Sequence, residues 1–419
     1  MSQILIILFA IINVLLLYDG LRKKSVMGVF RFPFIIACVN LTFIYPQLTA
    51  IAAHVKNPDA YLTTSVLHMC LCTVAVWAGF VIGTSGNLRN QFIRRFNPQK
   101  IIPVAILFLF IGISAYLINR GVYKGGKISG PFVIVNFFTA YINYALILIM
   151  MALYLPGKKS NARFLLFIVL VIAIDQFINQ ARRANALYIA MIIGYFYMLY
   201  CSQKKYALVK YVIPGVFLFG MLFNTVIAQY RENAYSGEVS AVENVESLDF
   251  GSEKENNANL AKGEVNNAIK AINLCESYHL YDYGASNWNR TINDLVPKFL
   301  VGSTLKQQLF IPTAYDQFVT SLTKSGSTMT GYFDSYASFG LLGFIKFFII
   351  ALIMGVLWKR RNLSDISIFL YLALLTPGIH AITHSTNAVF SALIIYAFFV
   401  FPILKAISKN IPYRTAINV

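Results

Sequence analysis

The chain reads as long apolar runs broken by short polar and mostly basic interruptions. The runs fall at Ile4–Leu17, Pro33–Ala53, Ser65–Gly83, Ile101–Ile118, Phe132–Leu155, Phe164–Ile178, Ala184–Tyr200, Tyr211–Gln229, Tyr336–Trp358, Ile366–Ile379 and Ala388–Leu404. A helix needs about 20 predominantly apolar residues to cross a bilayer. A transmembrane barrel would need short alternating segments instead. The pattern therefore predicts an all-α polytopic membrane protein with about eleven transmembrane helices. Its organisation divides into eight helices over residues 1–229, one large loop over 230–335, and three helices with a basic tail over 336–419.

Composition agrees and excludes two other classes. Of 419 residues, 58% are hydrophobic and only 12% charged, about half the charged share of a soluble domain. One soluble core cannot absorb that much apolar surface. General disorder is excluded because aromatics make up 15% of the chain.

The net charge of +18 is not spread evenly. Alternate loops at 22–31, 89–100, 158–163, 204–210, 359–361 and 405–414 hold most of the Lys and Arg. The short loops of the other set hold only Lys56, Arg120, Lys124, Lys127, Arg182 and Arg183. The positive-inside rule puts the richer set in the cytoplasm, so the N-terminus and the 230–335 loop face out and the C-terminus faces in. The first apolar run precedes its basic cluster, which marks a reversed anchor rather than a cleavable signal peptide. Asp19 and Asp365 are the acids within the basic set. The excess charge is explained by topology and anionic lipid, and nucleic acid has no support as a partner. The five cysteines offer no outward disulfide pair and no metal spacing.

The large loop changes texture along its length. Ser236 to Glu264 is polar and acidic and reads as unstructured. After it, Ala268, Ile269, Ile272 and Cys275 recur at the spacing of a short amphipathic helix. Tyr278, Tyr281, Tyr283, Trp288, Phe299 and Phe310 follow among Asn, Asp and Ser. Sugar C–H faces stack on aromatic rings while sugar hydroxyls take polar partners, so this stretch suits a carbohydrate cleft. The plain alternative is a belt of aromatics at the bilayer interface.

Four clusters fall on the outer face of this topology. Arg182 and Arg183 sit between two apolar runs, against the positive-inside bias. Charges near the membrane default to a functional reading, and two adjacent guanidinium forks suit a diphosphate. Interfacial snorkelling is the alternative. Asp175 lies one or two turns deeper. Arg120, Lys124 and Lys127 lie in a glycine-rich stretch that reads either as a phosphate loop or as a pliable basic hairpin. Arg231, Arg290 and Lys298 belong to the large loop and gain weight only if the fold gathers them. The last cluster joins Ser325–Gly343, which holds Tyr332, Asp334 and Tyr336, to the end of the tenth run with His380, His384 and Asn387. His380 and His384 share a helix face, but Ala381 stands where a zincin has Glu, so no metal is expected. Either histidine or Asp334 suits a proton acceptor, and a polar helix contact is the alternative. No Asp-x-Asp and no GxxxxGK[ST] occur, so no metal–nucleotide-sugar site and no cofactor are expected. Gly79 and Gly83 have the spacing of close helix packing.

With these residues in hand the chain resembles the Wzy-type O-antigen polymerases, bacterial oligosaccharide repeat-unit polymerases. Tyr336-Ala337-Ser338-Phe339-Gly340-Leu341-Leu342-Gly343 is similar to the Tyr-x-x-Phe-Gly-x-x-Gly entry of a late span in that family, and Leu295–Phe299 to a loop segment there. The resemblance implies a multi-pass protein of the bacterial inner membrane, acting at the periplasmic face, with a fold related to C-type membrane glycosyltransferases. It implies metal-independent transfer of a growing glycan from undecaprenyl diphosphate onto a new lipid-linked oligosaccharide. Arg182 and Arg183 would stabilise the leaving diphosphate, with Asp334, His380 or His384 as the base. Arg120, Arg231, Arg290 and Lys298, with Trp288, Tyr332, Tyr336 and Asn387, would bind substrate. Membrane lipid, a chain-length regulator and a flippase complete the expected partners. The competing readings are an O-antigen ligase of the same fold and a lipid-linked oligosaccharide flippase.

Overall fold

A computed structural model describes residues 1–22, 26–86, 92–122, 132–154, 159–180, 183–200, 263–296, 298–313 and 329–412. The eighth expected span, Tyr211–Gln229, lies outside the described residues. Long apolar helices dominate, and eight of the described segments are long and apolar enough to cross a membrane. The protein is a polytopic α-helical membrane protein.

The helices are α1 (Ser2–Arg22), α2 (Phe32–His54), α3 (Pro58–Thr84), α4 (Pro98–Val122), α5 (Phe132–Thr139), α6 (Tyr141–Tyr154), α7 (Lys159–Gln180) and α8 (Arg183–Tyr200). They continue with α9 (Glu264–Tyr278), α10 (Ala285–Leu295), α11 (Gly331–Phe339), α12 (Phe344–Arg360), α13 (Asp365–Thr383) and α14 (Asn387–Ile407). Strands β1 (Phe92–Phe96) and β2 (Ser408–Pro412) pair antiparallel.

Several helices are inside out by the standard of a soluble protein. On α1, Ile4, Ile7, Ile11, Val14 and Leu15 are exposed, while Ser2 and Asn13 are buried. On α7, Phe164, Phe167, Val171 and Ile174 form an exposed stripe at helical spacing. Each such side chain in water would forgo about 1.5–3 kcal/mol of burial, so these faces belong against lipid.

The chain divides into two compact units. Unit 1 takes Met1–Leu88, Glu253–Lys359 and Pro377–Tyr396; unit 2 takes Arg89–Ser252, Arg360–Thr376 and Ala397–Val419.

In unit 1, α3 starts on a strong local signal. The Asn57 side chain accepts from Ala60 N–H, and Pro58 opens the helix where a missing N–H costs nothing. Asp59 then accepts from the Met1 ammonium at 2.9 Å and from the Ser2 N–H at 2.8 Å, tying the starts of α1 and α3 together. At the opposite end Arg31 pairs with Asp19 and lies over the Phe80 ring, and Lys359 Nζ donates to the Ser85 and Gly86 carbonyls. The basic loops of this unit thus gather at one end. Gly83 and Gly355 meet Cα to Cβ position at 3.0 Å, so α3 and α12 cross with their backbones nearly touching, the close packing expected of Gly79 and Gly83. A polar ladder runs through the apolar core. Asn40 Nδ2 donates to Asn13 Oδ1 at 2.9 Å, and Tyr332 O–H donates to Asn40 Oδ1 at 2.7 Å. Such pairs satisfy groups that lipid could not.

The ninth expected span, Tyr336–Trp358, is not one helix. It begins earlier, as α11, and breaks at a 3₁₀ turn over Gly340–Gly343 before α12. Gly340 has φ +59°, which a side chain would resist, and no Cβ fits at Gly343 against the Ser335 carbonyl. The fifth expected span is likewise two helices, α5 and α6.

In unit 2, α6 is the centre: Ala145 through Met151 are all buried. Phe108 packs edge-on against Tyr141 at 5.0 Å, and Gly112 lets α4 approach the backbone of Ile142. The two-stranded sheet is an element the apolar pattern did not predict. Asp365 holds it down, accepting from Arg95 at 2.7 Å and from Phe96 N–H at 2.8 Å. Both acids of the basic loop set, Asp19 and Asp365, are therefore ion-paired.

Candidate functional site

The described part of the large loop folds onto unit 1. Helix α9 is amphipathic as its spacing predicts, with Val265, Ala268, Ile269, Ile272 and Cys275 buried. Their face packs against Phe333, Tyr336 and Ala337 of α11. Polar contacts fix the register: Tyr61 O–H donates to Asn266 Oδ1 at 2.7 Å, and Val265 N–H donates to Gln47 Oε1 at 3.1 Å. Burial, reinforced by the negative charge of Asp282, pushes the Cys275 thiol up to about 12.

After α9 the chain turns through two left-handed residues, His279 and Tyr283, with φ of 51° and 50°. Asp282 sets this turn: its N–H donates to the Ala337 carbonyl at 2.9 Å, and its Oδ1 accepts from Gly284 N–H at 2.7 Å. The turn opens a cavity of about 720 Å³ lined by Tyr281, Asp282, Tyr283, Trp288 and Ile311. Tyr283 is 76% exposed and Trp288 47% exposed, so aromatic surface faces solvent here. The far wall is pinned rather than loose. Trp288 Nε1 donates to the Leu309 carbonyl at 2.8 Å, and the Asn289 amide both donates to and accepts from the Ile311 backbone at 2.8 Å.

The neighbouring face of α10 looks into a second, polar cluster. Asp334 lies on α11, where Thr386 N–H donates to Oδ2 at 2.9 Å and the Thr386 hydroxyl donates to the same oxygen. Lys346, near the start of α12, reaches Asp334 Oδ1 at 3.9 Å and donates to Ser338 Oγ at 2.7 Å. The Asn287 amide, turned to satisfy both neighbours, donates to Asp334 Oδ1 at 2.9 Å and accepts from Lys346 at 2.8 Å. One turn on, Thr291 donates to Asn387 Oδ1 at 3.2 Å. Lys346 is 8% and Asp334 16% exposed, so this is a shielded ion pair bridged by an amide. Chemically, the cluster presents Asp334 as an acceptor with donors at both carboxylate oxygens. It also couples the loop helix to the break in the ninth span.

The other candidate residues are placed as follows. Tyr332 and Tyr336 are buried: Tyr332 stacks on Phe347 at 5.3 Å, and Tyr336 meets His68 edge-on at 5.2 Å. His380 and His384 share a face with ring centroids 5.1 Å apart, and Thr383 Oγ1 lies 2.7 Å from His384 Nδ1. Asn387 is buried and donates to Ser391 at 3.2 Å. Arg290 on α10 and Lys298 beyond it are exposed. Arg183 is the first residue of α8 and Arg120 lies in the last turn of α4; Arg182 and Arg231 lie outside the described residues. Asp175 accepts a hydrogen bond from the Tyr116 hydroxyl. Among the described residues no group of three or more His, Cys, Asp and Glu could hold a metal ion.

The site partners that sequence reasoning missed are Asn287, Thr291 and Thr386. Lys346 is a lone charge within the apolar run Tyr336–Trp358. Asn287 and Thr291 at i,i+4 were the available signal, since they put two polar side chains on one face of a helix whose next residue is Trp288.

No family model, no curated protein and no solved structure matches the chain.

Proposed function

We propose that the protein is a membrane-embedded glycan polymerase, transferring oligosaccharide repeat units between polyprenyl-diphosphate carriers. In this reading it sits in the bacterial inner membrane with its N-terminus and large loop in the periplasm and its C-terminus in the cytoplasm. Its fold is related to the C-type membrane glycosyltransferases. The observation that carries the reading is helix α10. One of its faces lines an open aromatic cavity through Trp288, and the adjacent face joins a shielded carboxylate, Asp334, through Asn287. Aromatic surface suits a glycan, and a carboxylate suits a group that takes a proton from the acceptor hydroxyl. The leaving diphosphate needs cations where its charge develops, and Arg182 and Arg183 are the adjacent pair for that role. Arg120, Arg231, Arg290 and Lys298 support them. His380 and His384 are the alternative bases.

A deletion strain tests the reading. Lipid A-core capped with a single repeat means a polymerase; bare core means a ligase of the same fold. Arg182→Ala or Arg183→Ala should leave the protein in the membrane and shorten the surface glycan to single repeats. Loss of one such donor costs about a hundredfold or more in rate. Ladders of normal length in both variants would overturn the assignment.

The second reading is a flippase for the lipid-linked unit. The Lys346–Asp334 pair favours it, because a charge pair embedded within spans also suits a carrier. Deletion would then trap the unit on the cytoplasmic leaflet.

A further inference from the structure

The surface beside the break in the ninth span is apolar, uncovered and continuous with a face that lipid covers. On α12, Ile345, Ile349 and Val356 are exposed and recur on one helix face, and the 3₁₀ turn before it exposes Leu341 and Leu342. Within a span such a stripe meets hydrocarbon, as on α1 and α7. Phe339, the last residue of α11, is exposed too and carries the stripe past the turn. Its ring ends 4.0 Å from where a Cβ would stand on Gly284, next to the exposed Tyr283. The turn after α9 is fastened to the same place: Asp282 N–H donates to the Ala337 carbonyl at 2.9 Å, and the Tyr281 ring lies 3.4 Å from the Cβ position of Gly340.

Depth decides whether surface that a membrane protein leaves uncovered meets lipid or water. Lys359, bonded to the Ser85 and Gly86 carbonyls, marks the end of α3 where the basic loops of this unit gather. At a rise of about 1.5 Å per residue, Thr64 stands about 30 Å along α3 from Thr84, and Tyr61 about 35 Å. These two residues hold α9: Thr64 Oγ1 donates to Glu276 Oε1 at 3.4 Å, and the Tyr61 carbonyl accepts from Asn273 Nδ2 at 3.0 Å. A hydrocarbon core is about 30 Å thick, and the headgroup layer adds roughly 5–8 Å on each side. The end of α9 and the turn after it therefore lie at headgroup depth. The same count along α12 puts Leu342 about 26 Å from Lys359, just inside the hydrocarbon.

We propose that Tyr283 and Phe339 form an interfacial anchor whose partner is the headgroup layer of the bilayer that the spans cross. Aromatic rings are the side chains that settle at this level, and tyrosine adds a hydroxyl for the wet side of the boundary. The anchor seats the α9–α10 turn in the membrane surface instead of leaving it in water above. The cavity that Tyr283 and Trp288 line then opens at headgroup depth. A ligand carried on a lipid reaches such a mouth sideways, without being drawn out of the membrane. The anchor itself requires no particular ligand and no particular reaction.

The test measures depth in the full chain reconstituted into phosphatidylcholine–phosphatidylglycerol vesicles. Tyr283→Cys, Phe339→Cys, Ile345→Cys and Ile349→Cys each carry a nitroxide label, and power-saturation EPR compares collisions with oxygen and with a water-soluble nickel chelate. Cys38, Cys70, Cys72 and Cys275 are buried, so the wild-type chain treated in parallel serves as the blank. Lipids bearing nitroxides at the headgroup and along the chain calibrate the scale. Labels at 283 and 339 should read within about 8 Å of the phosphate level. The labels at 345 and 349 should read deeper, about 6 Å apart. Three results would each overturn the anchor. One is a label at 283 and at 339 as open to the nickel chelate as bulk water. Another is protection from both reagents, which would mean a protein cover. The third is dipolar broadening that vanishes on dilution with unlabelled chain, which would mean a second copy. The two labels sit on separate elements, so a label that disturbs the turn leaves the reading at 339 intact. The measurement involves no donor lipid and no turnover, so it stands or falls apart from the deletion strain.

Discussion

Removing Asp334 exposes the energetics of the junction between α10, α11 and α12. The Lys346 side chain is 8% exposed, and its ammonium has Asp334 Oδ1 at 3.9 Å, the Asp334 carbonyl at 3.4 Å, Ser338 Oγ at 2.7 Å and the Asn287 amide oxygen at 2.8 Å. Breaking a buried pair by deleting one partner costs about 3–5 kcal/mol. Here three neutral acceptors remain on Lys346, the carbonyl of residue 334 among them, so Asp334→Ala should sit at the lower end, about 3 kcal/mol. Lys346→Met removes the charge from the other side. It leaves Asp334 with the Thr386 N–H and hydroxyl, so its cost should be about 1–2 kcal/mol. In the double variant neither charge is stranded, and its cost should fall short of the sum by about 1 kcal/mol or more. SDS-titration unfolding in mixed micelles, followed by tryptophan emission, measures all three. Additivity within about 0.5 kcal/mol would show that the two groups do not sense each other, and the ion-pair account of the junction would be wrong.

Two further outcomes test the packing. Gly83→Leu places four carbons where the α12 backbone already lies within contact of a Cβ, so it should destabilise by about 1–3 kcal/mol in the same unfolding assay; an unchanged midpoint would mean that α3 and α12 are further apart. Cys275 should resist maleimide at pH 7, because its thiol, raised to about 12, is protonated throughout the neutral range; its labelling rate should climb as pH rises toward that value. A cysteine introduced at the exposed Tyr283, in a background lacking Cys275, should label rapidly, and equal rates at the two positions would refute the buried face of α9.

The apolar runs announced most of the spans because the bilayer sets their length. The register of α9 was equally open to reading, since Ala268, Ile269, Ile272 and Cys275 mark one helix face whatever lies beneath it. The interruption at Gly340–Gly343 was hidden. Both glycines sit in a run apolar enough to pass for a continuous helix, and only the approach of Ser335 and Tyr281 shows why side chains are absent there. The partners of Asp334 were hidden for another reason. Asn287 and Thr386 flank it at a distance along the chain, and no local periodicity links a loop helix to the start of a late span. Pairing of 92–96 with 408–412 was invisible on the same ground.

The small sheet of unit 2 sets a timetable for biogenesis. Its strands meet across a separation of 316 residues, as between Arg94 and Asn410. At about 5–20 residues per second, the ribosome delivers the second strand roughly 15–60 s after the first. Through that interval the first strand waits with an open hydrogen-bonding edge. Insertion of the spans therefore cannot be the last event in maturation: a zippering step outside the hydrocarbon follows it, and a nascent chain arrested before residue 408 would present a sticky, unpaired edge to the cell's quality-control machinery.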